Sequence, residues 1–166
     1  MVIQNRLETS KYRMLYIVCI AVFVFTAFFA FYSDIPKEDY LTTAIAIGIL
    51  FIYFSMVYID YKYIYFNDNG EKIVFRYVSA HPVIGKRKAI EIKKRSFAGY
   101  EIQSAFFGLK RQLILKMFTK KGIIQYPPIS VSAVKNHDLK LIEKGLNQQL
   151  AMNVKLISKF KKSKEE

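Results

Sequence analysis

The chain has 166 residues, 52% of them apolar, with 26 Lys+Arg against 13 Asp+Glu and a single Cys. A positive mean hydropathy of +0.13 beside a net charge of +13 means that apolar and charged residues occupy separate segments. A disordered chain, a disulfide scaffold and a collagen-like or repeat protein are excluded.

Residues 1–13 read as a cytoplasmic tail carrying Arg6, Lys11 and Arg13 against one acid, Glu8. Residues 14–33 then run for 20 positions without a formal charge, and a second uncharged run of 20 occupies 40–59, inside a segment 40–60 that ends at Asp60. At about 1.5 Å per residue each run would form a helix of about 30 Å, the thickness of a bilayer core. Tyr12, Tyr16 and Tyr32 flank the first run and Tyr40, Tyr58 and Tyr61 the second, the placement expected of an aromatic belt at the headgroup level. Two helices that are apolar all round would overwhelm the core of the remaining ~100 residues, so transmembrane spans are expected. The first run is too long for a signal-peptide core and no small-x-small site follows it, so it should be retained.

The loop at 34–39 has one Lys and three acids, whereas Arg6, Lys11 and Arg13 precede the first span and Lys62, Lys72 and Arg76 follow the second. Positive flanks stay inside, which predicts a transmembrane hairpin with both termini cytoplasmic. Pro36 breaks the helix between the spans. Ala44 and Gly48 form a small-xxx-small pair, and Ala27 and Ala30 offer small residues on the other helix. They are expected to close the hairpin on itself more than to recruit a partner helix. No Asp, Glu, Lys, Arg or His lies within either run, so a transport path through this chain alone is not expected. Cys19 lies in the first span and implies no disulfide.

From Asp60 onward 22 Lys+Arg stand against 9 Asp+Glu, which carries the whole net charge. A cytosolic α+β domain is expected over 61–152. Strands are predicted at 62–66, 71–78, 89–93, 100–105, 111–118 and 123–126, from period-two alternation such as Ile73, Phe75 and Tyr77 against Lys72 and Arg76. Asn67-Asp68-Asn69-Gly70 is a hairpin turn, Pro127-Pro128 ends the sheet, and Val83-Ile84 is a place where a seventh strand could lie. The period then changes. Ser130 or Ser132 can cap a helix to about Leu150, with Leu139, Ile142, Leu146 and Leu150 on one face. The expected architecture is a curled antiparallel sheet or partly open barrel of five to seven strands, capped by this helix. Residues 153–166 form a basic tail, either a helix extension or flexible.

This order of parts resembles the bacterial pleckstrin-homology-like (PH-like) membrane proteins. The resemblance is carried by Tyr65 to Gly70 leading into Ile73–Tyr77, by the strand end Ile123-Ile124-Gln125-Tyr126-Pro127, and by the helix 131–150. It implies a docking module in the bacterial cytoplasmic (inner) membrane rather than an enzyme.

The residues themselves carry no catalytic signature. His81 and His137 are 56 positions apart, without HExxH or CxxC spacing, and are expected in surface or helix-face roles. There is no GxxxxGK[ST] or GxGxxG, and Ser96, Ser104, Ser130 and Ser132 lack a nucleophile elbow or a nearby His. No metal site or cofactor is expected. The remaining signal is basic: Lys86, Arg87 and Lys88; Lys93, Lys94 and Arg95; Lys110 and Arg111; Lys120 and Lys121. These are the candidate contacts for anionic lipid of the inner leaflet, at about 1 kcal/mol per residue near the surface, or for an acidic protein partner. Nucleic acid is the least favoured, because no recognition motif accompanies the charge, and homo-oligomerisation is left open. The favoured expectation is an adapter or accessory subunit of a larger membrane complex. The alternative is a lipid-binding, membrane-organising protein.

Overall fold

The computed structural model describes residues 1–32, 40–83, 85–119 and 122–162. The loop at 34–39, Ile84, Lys120, Lys121 and the Ala30 side chain, all named above, lie outside the described residues.

Residues 2–4 form a strand. β1 (Val2–Gln4) leads through Asn5 into α1 (Arg6–Tyr32), a helix that starts eight residues before the uncharged run. Its segment Arg6–Phe29 is long and apolar enough to cross a membrane, and Thr43–Ile59 of α2 (Tyr40–Ile59) is a shorter apolar helix. Residues early in α1 meet residues late in α2, as in an antiparallel pair: Tyr16 donates a 2.7 Å hydrogen bond to the Met56 carbonyl. Asp60 ends α2 in the left-handed region, φ 56, where a short polar side chain is tolerated better than a branched one.

The remaining strands are β2 (Lys62–Asn67), β3 (Lys72–Ser79), β4 (Lys88–Lys93), β5 (Phe97–Ala105), β6 (Lys110–Thr119), β7 (Gly122–Gln125) and β8 (Ile129–Ser130), followed by α3 (Asn136–Lys162). Instead of one curled sheet, the described residues form two antiparallel sheets. One has the order β1-β2-β3-β4; the other has β5-β6-β7, with β8 also on β6. All six predicted strands are present. The two unforeseen strands are β1 and β8, while Val83 lies in a bend.

Pro127-Pro128 ends β7 as expected but not the sheet. On either side of the prolines Tyr126 N–H bonds the Leu115 carbonyl (2.9 Å) and Val131 N–H that of Arg111 (2.8 Å). β7 and β8 thus behave as one strand interrupted where proline has no donor. Ser130 belongs to β8 and Ser132 Oγ accepts from Arg111 N–H (2.9 Å); the helix starts at Asn136 rather than after either serine and continues through Lys162, so most of the basic tail is helical.

The alternation read from the sequence is the core. Ile64, Phe66, Ile73, Phe75, Ile92, Leu113 and Leu115 from both sheets pack with Leu139, Ile142 and Leu146 of α3 in one buried cluster, with Met117 and Leu150 against it. Burying each such side chain contributes about 1.5–3 kcal/mol.

Candidate functional site: the two ends of the domain

The strand directions give the domain a near end, where the helices join, and a far end. At the near end Ala80 N–H bonds the Tyr61 carbonyl (2.8 Å), Ser130 Oγ donates to the Ile59 carbonyl (3.1 Å), and Lys135 pairs with Glu8 of α1 at 3.2 Å. At the far end lie the turn after Asn67, the 3-10 turn Lys94–Ser96 and the start of β7.

Asn5 stitches the near end together. Its Oδ1 accepts from Ile64 N–H (2.6 Å) and its Nδ2 donates to the Lys62 carbonyl (3.1 Å). Thr9 Oγ1 donates to the Asn5 and Lys62 carbonyls, at 3.0 and 3.3 Å. The start of α1 is thereby bonded to the strand that leaves α2.

Beside this seam lies an aromatic joint. Tyr12 stacks on Tyr61, ring centroids 3.8 Å apart, and Tyr16, 1% exposed, packs with Met56 and Ala80. His81, expected at the surface, is 9% exposed. Its Nε2 is 2.9 Å from Tyr53 Oη and its Nδ1 accepts from Val83 N–H at 3.2 Å. The second bond leaves Nδ1 without a proton, so Nε2 carries it and donates to Tyr53. Tyr12, Tyr16 and Tyr61, predicted as belt residues, therefore join helices to domain; Tyr32 and Tyr58 remain exposed. Tyr16 also meets α2, through the Met56 carbonyl and, edge to face, the Tyr53 ring. Ala27, Ala44 and Gly48 are exposed, and a Cβ built on Gly48 meets nothing within 4 Å.

The predicted basic residues divide between the ends. Lys86, Arg87 and Lys88 are exposed at the near end, as is most of the turn joining β5 to β6. In that turn Phe106 and Phe107 both have left-handed backbones, φ 54 and 53, and Phe107 is fully exposed at 102%. Phe106 meets Tyr58 of α2 edge to face, and Lys110 Nζ lies 3.9 Å from the centroid of the Tyr58 ring, a cation–π contact. Arg111 is structural: its guanidinium donates to the Val134 carbonyl at 2.9 Å.

Lys93 and Arg95 are exposed at the far end. Lys94 between them pairs with Asp68 at 2.9 Å, and Asn153 of α3 donates to the Lys94 and Phe97 carbonyls, at 2.6 and 2.9 Å. The two clusters are separated by β4, six residues, or about 20 Å at ~3.3 Å each. That exceeds the Debye length of about 8 Å at physiological salt, so the two clusters act as separate positive patches.

Sequence reasoning missed Asn5, Phe106 and Phe107, placed His81 at the surface, and read Arg6 and Arg13 only as topology signals. Unusual residue types for a turn, Phe-Phe before Gly108, were the available clue. No family model, curated protein or solved structure matches the chain.

Proposed function

We propose that this chain is a non-enzymatic adapter of the bacterial inner membrane. α1 and α2 span the bilayer as a hairpin, and a PH-like module is held against the cytoplasmic face with its far end open to a protein partner. The observation that carries this reading is the seam through Asn5. It brings the start of α1 and the end of α2 to the same face of the domain, as a hairpin with both termini inside requires, and it holds the module at a set angle rather than on a loose tether. The near end, with Phe107 exposed and Lys110 on Tyr58, suits the headgroup layer. Lys93 and Arg95, a strand's length away, suit an acidic face on a cytoplasmic or membrane partner.

The test is affinity purification of tagged full-length protein in mild detergent, with stoichiometry by mass spectrometry. A partner recovered in near-equal amount, and lost in Lys93→Glu/Arg95→Glu while membrane insertion persists, is the expected result. Recovery of the protein alone, or of the same partner with that variant, contradicts the adapter reading. The second reading, a lipid-binding organiser of the membrane, is favoured by the near-end cluster of Lys86, Arg87 and Lys88, and would stand if only lipid is recovered.

A further inference from the structure

The near end contains a cleft of about 690 Å³ between the first turns of α1 and the segment after β3. Arg6, Ser10 and Arg13 line one wall; spacings of four and three place them on one face of the helix. Ser79, His81 and Arg87 line the other. Among the described residues that line it there is no Asp or Glu. The described ion pairs leave out all three arginines: Glu8, the acid nearest in sequence, turns to Lys11 and Lys135 instead. Three arginines lining one cleft with no acid among its described residues concentrate positive charge there, and an anion with several acceptor oxygens offsets that charge while using the planar donor fork of arginine. Arg87 also borders a smaller groove of about 450 Å³ lined by Arg76 and Lys88, which extends the positive surface. On this wall His81 is held by Tyr53 and Val83.

We infer that this cleft binds a phosphoryl group. Arg6 and Arg13 from the base of the first span and Arg87 from the domain clamp it from two sides, and the Ser10 hydroxyl donates to a further oxygen. A site built from both parts of the chain makes the ligand a clamp between helix and domain. Two sources carry this chemistry: the headgroup of an anionic phospholipid in the adjacent leaflet, or a soluble phosphate. The lipid source rests on the membrane placement proposed above; the site itself rests on the cleft alone.

The full-length protein in mild detergent is titrated with phosphatidylglycerol and, separately, phosphatidylcholine, and retained lipid is counted by native mass spectrometry. Inorganic phosphate is titrated in parallel by thermal shift. Arg87→Gln removes a clamp residue remote from the spans, and Ser10→Glu places a carboxylate in the cleft. Lys93→Gln/Arg95→Gln at the far end is the control for bulk charge. One phosphatidylglycerol retained over phosphatidylcholine, with retention falling at least tenfold in both cleft variants and unchanged in the control, supports the site with a lipid source. A thermal shift by inorganic phosphate alone, lost in the same variants, supports it with a soluble source. No binding of either, or equal losses in the control, overturns it. Carbonate extraction of each variant reports membrane insertion separately, so failure of the site and failure of the membrane reading are distinguished.

Discussion

Asn5 Oδ1 accepts a 2.6 Å hydrogen bond from the backbone N–H of Ile64, 59 residues further along the chain. Asn5 N–H returns a bond to the Ile64 carbonyl at 3.3 Å, and from there β1 continues along β2 in the register Gln4–Tyr65, Ile3–Phe66, Val2–Asn67. One side chain thus converts the entrance to α1 into an edge of the sheet. In Asn5→Ala the buried Ile64 donor loses this partner, which costs about 1–3 kcal/mol. A lowered Tm of the detergent-purified protein, with faster proteolysis within residues 1–5, is expected, and Asn5→Asp, which keeps the acceptor for Ile64 but sets a carboxylate oxygen against the Lys62 carbonyl, should recover only part of the stability. A Tm unchanged in Asn5→Ala would remove the seam from the account.

The aromatic turn gives a cleaner optical test, because the chain has no Trp. Phe107→Trp introduces a single reporter at the near end. In vesicles its emission should shift to the blue and be quenched by brominated lipid; an emission like that of free Trp in water would place the turn outside the headgroup layer. The left-handed backbone at Phe106 and Phe107 costs about 1–2 kcal/mol per residue. Phe107→Gly should therefore leave Tm in detergent unchanged or higher while weakening membrane burial of the turn.

The core responds in the ordinary way. Leu146 of α3 is fully buried at 0% against residues of both sheets, so Leu146→Ala should cost about 2–5 kcal/mol. Loss of near-UV circular dichroism with the helical signal of α1 retained would be seen on heating. Lys86→Ala, on an exposed loop, should change Tm by little.

Much of the domain was legible because its core strands alternate in period two: Ile73, Phe75 and Tyr77, or Ile90 and Ile92, declare their inner face without any knowledge of partners. β1 and β8 were not legible. They have three and two residues, too short for a periodic signal, and each owes its strand conformation to a neighbour distant in sequence. Ser130 and Ser132 looked like helix caps because a cap is a local pattern, yet they are used by Ile59 and Arg111. The basic clusters were visible as composition, but which end each occupies depends on strand direction. Lys88 and Lys93 bound a single strand and so lie at opposite ends. The cleft escaped notice because its arginines, at 6, 13 and 87, meet only after the chain folds back.

Alkaline pH should weaken the near end. Burial raises the Tyr61 and Tyr77 hydroxyls above their ordinary value of 10, with Tyr12 adding to the first and Asp60 to the second. A folded value raised above the unfolded one means full stability below pH 10, lost as pH rises through the folded values. Thermal unfolding followed from pH 8 to 11 should show that decline, with a shallower slope in Tyr77→Phe. At the acid side the Lys72 hydrogen bond lowers the exposed Glu91 carboxyl below 4.5. Its small contribution is present above that pH and fades as pH falls through the lowered value.

The central claim is a membrane hairpin with the domain fixed on its cytoplasmic side, and impermeant thiol labelling tests it most directly. In a Cys19→Ser background, Lys37→Cys reports the loop between the helices and Lys93→Cys the far end of the domain. Labelling of intact cells at 37 but not at 93, with both labelled after lysis, is the predicted result. Labelling of 93 in intact cells, or of neither position until lysis, would contradict the account.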